Sequence, residues 1–420
     1  MVDAFKNNFL VFPALAIAAL LYFALPVREQ KSAFFLFDSH EARLVECRLL
    51  SAPVKVGTKK KSYMAKASVL GAIGKRGFAS SAFGEAIFFL PLELCEIYQP
   101  GKLYSAWRGQ KVDFLLDKGG RVLFEVEEGS SGDSFNVRSI VSCGYECSFW
   151  GSVQKFRALC RLHFTRLMYA WGGAGGLLLA LLTGSRAYLE EESAAAFRLA
   201  GLSHILALSG MHLSLFGSLA FAIGKKSFGK KAAPFFELFA ALAFVWFAGR
   251  SPSLFRALLC SAAAILFGLL RVPVKSALNL LALVFIVHVS IFPDEMFELS
   301  FMLSYGALAG ILAFNEFVSK PLLAALPSGA GKSLGQSIGA QAMTFPICAR
   351  FFGSVAPGAI VSSAIVAPLV LLFVYAGLAA IILSLLFPSF APFCGGLLKA
   401  FYAAIKGAVL FFARIPCLKI

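Results

Sequence analysis

The 420-residue sequence predicts a polytopic α-helical membrane protein with an exported, β-rich domain near its N-terminus. Hydrophobic residues make up 59% of the chain, phenylalanine alone occurs 44 times, the mean hydropathy is +0.77 and only 15% of residues are charged. That composition excludes an ordinary soluble domain. The hydrophobicity is also uneven, because residues 27 to 165 carry most of the acids whereas residues 167 to 413 form a succession of apolar runs. Finally, one apolar run contains Gly201-Leu202-Ser203-His204 and Ser209-Gly210-Met211-His212. Unsatisfied polar groups in a bilayer cost several kcal/mol each, by rough estimate, so such residues face a bundle interior, a cavity or a transport path.

The first run, Phe9 to Leu25, follows Lys6 and ends at Pro26, Arg28, Glu29 and Lys31. It is long for a signal-peptide core and lacks a clear small-residue cleavage pattern, so residues 1–26 read as a retained anchor. Either an anchor or a signal peptide would export the domain that begins at Val27. Residues 27–149 carry short strand-like stretches, including Ala42 to Leu50, Ala86 to Leu90, Lys111 to Leu116 and Arg121 to Val126. Turn signals at Pro100-Gly101, Gly119-Gly120 and Gly129 to Gly132 favour a small barrel or sandwich.

Between Cys47 and Gly84 lie Arg48, Lys55, Lys59, Lys60, Lys61, Lys66, Lys75 and Arg76 without a single acid. With Tyr63 and Phe78 nearby, such a patch could hold the phosphates of a polyanion and stack its bases. The alternatives are a solvated loop or a surface against anionic lipid. Cys47, Cys95, Cys143 and Cys147 allow three pairings if the domain is exported, and Cys160 could compete. At least one bridge is expected there, with buried free thiols as the alternative.

Residues 150–168 place Val153, Phe156, Cys160, Phe164 and Leu167 in one helical stripe and Lys155, Arg157, Arg161 and Arg166 on other faces. This pattern predicts an interfacial amphipathic helix whose cations rest on lipid phosphates or guide a polyanion. Residues 169–420 form the membrane domain. The Lys225, Lys226, Lys230 and Lys231 cluster should be cytoplasmic, which puts Arg271 and Lys275 inside, Asp294 and Glu295 outside, and Lys320 and Lys332 inside. The expected spans are about 203–223, 235–249, 254–270, 277–292, 299–314 and 334–352. Leu167 to Leu182 then cannot make a complete crossing. The Gly172 to Gly176 cluster suits a broken, re-entrant element. Ala359 to Phe387, interrupted by Pro368, reads as either a hairpin or one tilted helix.

Several chemistries fall away. Ser209, His204 and His212 have no nearby acid to orient a catalytic base, and no strand-to-helix elbow presents the serine. Two histidines without a third ligand make a poor metal site, although eight residues on one helix would set them about 80° apart, on a shared face. Gly329-Ala330-Gly331-Lys332-Ser333 ends like a phosphate-binding loop, but Leu326 occupies the first-glycine position and no strand precedes it. No enzyme activity, metal or cofactor is expected. Arg250 and Arg256 lie near a helix end, where arginine can clamp a phosphate bidentately or snorkel to the interface.

The stretches Thr183-Gly184-Ser185-Arg186, Gly201 to His204 and Ser209 to His212 resemble the signature of the ComEC family, the competence DNA-uptake channels of bacterial inner membranes. Gly249-Arg250-Ser251-Pro252-Ser253-Leu254-Phe255-Arg256-Ala257 is similar to that family's Gly-x-Ser-Pro-Ser-x-x-Arg-Ala element, and Leu303 to Gly310 resembles its Gln-Leu-Ser-Phe-led helix. Met302 replaces the usual Gln, and Ser363 stands where an Asn usually precedes the turn at Ala367-Pro368. The resemblance implies that residues 27–149 are OB-like and that the chain imports single-stranded DNA across the cell inner membrane. Ser203, His204, Ser209, Gly210, His212, Arg250, Arg256 and Ser304 would line the path, and Lys55, Lys59, Lys60, Lys61, Lys66, Lys75 and Arg76 would bind DNA outside. It further implies a DNA receptor, a cytoplasmic DNA-translocating ATPase and a nuclease on another chain, since no metallo-β-lactamase-like domain is expected here. Alternatives are a transporter of a small anionic solute or lipid, and a non-transporting scaffold.

Overall fold

The computed structural model describes residues 10–24, 34–35, 42–56, 62–74, 79–95, 116–127, 134–208, 210–273, 276–317, 328–352, 354–355, 358–415 and 418–419. The chain divides into a helical unit (residues 1–26, 180–184 and 190–420) and a barrel unit (residues 27–179 and 185–189).

In the barrel unit, β1 (Phe34–Phe35), β2 (Ala42–Leu49), β3 (Val54–Val56), β4 (Ser62–Gly74) and β5 (Ala79–Pro91) precede the short α2 (Leu92–Cys95), β6 (Arg121–Val126) and β7 (Ser134–Gly144). Five of these strands close on themselves in the order β2-β4-β5-β7-β6-β2, with β5 and β7 parallel and the other four pairings antiparallel. Closure removes free edges from these five strands, and among the described residues β1 pairs with β5 and β3 with β4. Period-two alternation fills the interior: Tyr63, Ala65, Ala67 and Val69 of β4 are buried, facing Val45, Cys47, Phe88, Phe124 and Phe135 in one core. The Phe88 ring sits 5.0 Å from Phe124 and 5.4 Å from Phe135.

The Gly119-Gly120 turn forms as expected. Gly119 adopts φ +85°, its amide donates to the Leu49 carbonyl at 2.7 Å, and Leu49 donates back to Gly120 at 2.9 Å. Asp117 opens this turn, and its carboxylate accepts from the Lys118 amide at 2.8 Å.

Helix α3 (Phe149–Ala170) starts at Ser148, whose hydroxyl accepts from the Gly151 amide at 3.0 Å. Its orientation corrects the sequence expectation. Arg157 and Arg161 are buried, with Arg161 Nη1 2.8 Å and Arg157 Nη1 3.5 Å from Asp117, whereas Phe149, Trp150 and Phe156 are exposed. Two of the four cations assigned to lipid phosphates are thus turned onto a carboxylate 40 or more residues upstream. Helix α4 (Gly173–Thr183) comes after one tight turn, in which Gly172 has φ +63°. A Cβ at Gly175 would lie 1.8 Å from the Met168 carbonyl, so only glycine permits the two helices to meet there. At 11 residues, α4 is about 16 Å long, half the thickness of a hydrocarbon core.

The helical unit contains α1 (Val11–Ala24), α5 (Glu191–Leu199), α6 (Gly210–Phe228), α7 (Ala233–Ala248), α8 (Pro252–Leu269), α9 (Ala277–Ile291), α10 (Leu299–Phe317), α11 (Ser328–Phe352), α12 (Ala359–Leu386) and α13 (Ala391–Phe412). A short 3₁₀ turn, Pro293–Phe297, joins α9 to α10, and β8 (Ser354–Val355) pairs with β9 (Leu418–Lys419). The start of α1 is tied to α9, with the Leu10 amide donating to Asn279 Oδ1 at 3.2 Å. Among the described residues, Pro252–Leu269, Val361–Leu386 and Pro388–Phe412 are long and apolar enough to cross a membrane, and four shorter apolar helices accompany them. Residues 359–386 form one helix of 28 residues, about 42 Å, with Pro368 inside it; of the two expectations, the single helix is the one observed.

Candidate functional site

Helix α5 ends at Ala200, and Gly201 turns the chain with φ +72° while the Leu202 amide donates to Phe197 at 2.8 Å. Residues 201–208 are therefore turns and not the start of a span, which corrects the expected 203–223 helix. Leu202, Ile205 and Leu206 are buried. Ser203 and His204 are exposed, with His204 Nδ1 3.2 Å from the Gly201 carbonyl. His212 lies on α6 and is wholly buried, so the two histidines do not share a helical face. Ser209 lies outside the described residues.

The Gly249 to Ala257 element is first a helix start. Gly249, at φ +103°, ends α7; the Ser251 hydroxyl accepts from the Leu254 amide at 3.3 Å; and Pro252 takes the first turn of α8. This geometry aims two arginines in different directions. Arg250 pairs with Glu295 at 2.8 Å and lies 3.6 Å from the centre of the Phe292 ring. Glu295 also meets His288 Nε2 at 2.9 Å, and His288 Nδ1 is 3.1 Å from the Tyr305 hydroxyl. His288 and Glu295 are buried, enclosed by Phe255 and Phe301.

Arg256 points toward α6 and α10. It donates through Nη1 to the Ser304 carbonyl, and its guanidinium lies 5.8 Å from the Tyr305 ring. Gly210, the first residue of α6, fits against this group, since a Cβ there would lie 3.2 Å from Ala257 Cβ and 3.6 Å from Arg256 Nη2. Arg256 Nε and Ser304 Oγ are buried without hydrogen-bond partners, and among the described residues no carboxylate pairs with Arg256. An unneutralised guanidinium beside the positive end of a 19-residue helix is costly alone and favours an anion.

Of the residues singled out from sequence, Gly210, Arg256 and Ser304 come together, with His212 two positions along α6. Arg250 belongs to the adjoining acid-histidine-tyrosine network, while Ser203 and His204 lie in the turn before α6. His288, Glu295 and Tyr305 were not anticipated, because an acid after a span reads as an outer loop until its partner is known. A second unanticipated cluster involves Glu190, which accepts from Lys406 at 2.8 Å, Tyr402 at 3.0 Å and Ser193 at 3.3 Å. Lys406 also meets Glu192 at 2.7 Å, fastening α5 to α13.

On the barrel, Lys55 lies opposite Tyr63 while Lys66 stands three residues along β4, so the two lysines project from opposite faces. Tyr63 is buried and cannot stack on a base, and Arg48 pairs with Glu146. Lys59, Lys60, Lys61, Lys75, Arg76 and Phe78 lie outside the described residues. Cys47, Cys143 and Cys147 stand as free thiols, and Cys95 packs against the barrel core from α2. Cys47 and Cys143 flank Val122 on successive strands, about 10 Å apart, beyond the reach of a disulfide. Burial pushes the Cys143 thiol up to about 11 and Cys47 higher still. Among the described residues no three histidine, cysteine or acidic groups could hold a metal ion.

Fold and site together define a helical protein with helices of membrane-crossing length and a cationic node between them, joined in sequence to a five-stranded barrel. A family profile described as competence protein matches residues 181–420, more than half of the chain, and the chain belongs to that competence-protein family. It is also 28% identical over 221 residues to ComE operon protein 3 of Bacillus subtilis (strain 168), covering 52% of this chain and 27% of that protein. The chain thus matches about a quarter of that relative's length. No solved structure matches. These findings bear out the ComEC resemblance read from the motifs.

Proposed function

We propose that this chain forms the passage by which single-stranded DNA crosses a bacterial inner membrane during competence. The observation that carries this reading is Arg256, an arginine without a carboxylate partner among the described residues, at the glycine start of α6 and within the family-matched region. A phosphate passing there would gain a charge-assisted contact and relieve the cost of the unpaired cation. Gly210 leaves space for close approach, and Ser304 offers a further polar group. The passage is not a catalyst and needs no cofactor. An external receptor, a separate nuclease and a cytoplasmic ATPase would supply, trim and pull the strand.

The barrel supports an OB-like role for residues 27–149, exported so as to present DNA. Its five-stranded order with parallel β5–β7 closure suits that fold. One observation favours passage of a small anion instead: Lys55 and Lys66 face opposite ways, so they do not begin a continuous basic groove.

The test is uptake of labelled DNA by cells carrying Arg256→Ala or Arg256→Lys. Loss of one charged hydrogen-bonding group predicts a fall of about 10- to 100-fold for alanine, with partial retention for lysine. Normal uptake by the alanine variant at normal protein level would defeat the assignment, and competition by small organic anions but not oligonucleotides would favour the alternative.

A further inference from the structure

A groove of about 900 Å³ lies where α6, α7, α8 and α9 meet near the Lys230-Lys231 loop. Phe221, Phe235, Ile265 and Leu269 form its walls. Ala264 and Gly268 of α8 also line it, and a Cβ built at Gly268 meets nothing within 4 Å. Lys230 and Lys231 stand at the rim, both exposed. Lys225, Lys226 and Arg271 lie on the same helix ends, and Glu237, which also lines the groove, is the sole acid in the sequence from Gly217 to Pro293, so cations outnumber acids around it.

An apolar trough of this volume is the size of a ligand site, and its two lining cations are neighbours in one loop. That asymmetry is complementary to an amphiphile with an anionic head and a hydrocarbon tail. A nucleic acid, with charge at every residue, would need cations along the whole groove. We propose that the groove binds an anionic phospholipid, its acyl chain along Phe221, Phe235 and Ile265 and its phosphate on Lys230 and Lys231. The assignment rests on the membrane placement of the helical unit and not on the identity of the transported molecule.

The experiment uses the full chain purified in detergent and measures lipid retention by native mass spectrometry, with phosphatidylglycerol and phosphatidylcholine of identical acyl chains. Two lysines beside one phosphate predict about a 30-fold preference for phosphatidylglycerol, roughly fivefold per lysine. Lys230→Gln/Lys231→Gln, at exposed positions that folding does not require, should abolish the preference, whereas Lys225→Gln/Lys226→Gln should keep most of it. Gly268→Leu, which adds a side chain to the groove lining, should lower retention of both lipids.

Equal retention of the two lipids by the native chain, or an undiminished preference in the Lys230/Lys231 variant, would overturn the proposal. So would displacement of phosphatidylglycerol by glycerol phosphate or by a short single-stranded oligonucleotide at equal concentration, since the first requires no chain site and the second a nucleic-acid surface. DNA uptake is a separate readout, so failure of either assignment is seen without the other.

Discussion

Asp117→Asn tests the electrostatic logic of the barrel unit most directly. Asp117 is 1% exposed and is the shared counter-ion of Arg161, at 2.8 Å, and Arg157, at 3.5 Å. Asparagine keeps the shape of the side chain but leaves two buried guanidiniums without a neutralising charge. Removing one partner of a buried pair costs about 3–5 kcal/mol. Cys47 provides a reporter in the intact chain: it is fully buried in the barrel, and burial raises its thiol, so alkylation requires opening. At 1.4 kcal/mol per factor of ten, pulsed alkylation of Cys47 should quicken by about 140- to 4,000-fold. Arg157→Met should differ by less than about 1 kcal/mol, because burial already lowers that guanidinium's pKa against Asp117's opposing pull, and its Nε has no hydrogen-bond partner. Alkylation of Asp117→Asn within threefold of the native rate, or a larger effect for Arg157→Met, would refute the reasoning.

The same geometry sets three other outcomes. The Lys406 hydrogen bond, foremost among its contacts, holds the Glu190 carboxyl below its ordinary range. Its contribution is therefore complete above the unfolded pKa, near 4.3, and is lost as pH falls through the lower folded value. Exchange protection of α5 amides should decline on acidification below about pH 4, and Glu190→Gln should remove that dependence; a pH-independent native α5 would contradict this. With its thiol near 11, Cys143 should react with maleimide at pH 8 roughly 100-fold more slowly than free cysteine in solution, and equal rates would count against the burial described. Gly210→Val should press on Ala257 and Arg256 and cut DNA uptake at unchanged protein level, while Gly210→Ala, whose Cβ meets its neighbour at 3.2 Å, should be milder; equal uptake by both would remove Gly210 from the path.

Sequence alone determined much of the helical unit, because membrane helices announce themselves by length and hydropathy, which are properties of contiguous residues. The expected spans at 235–249, 254–270 and 277–292 lie within two residues of α7, α8 and α9. The strand at Arg121–Val126 was legible from alternation, and the α8 start from its Ser-Pro pair, for the same local reason. Where each charge goes was decided only by tertiary structure. Arg161 finds Asp117 at 44 residues' separation and Arg256 finds Ser304 at 48, while Glu295, in the turn between α9 and α10, pairs with Arg250 and His288. Even Tyr63, promising beside lysines in the sequence, faces the barrel core because of its register on β4. The physical reason is that the energy of a charged or polar group depends on burial and on partners, and the fold alone brings those distant residues together.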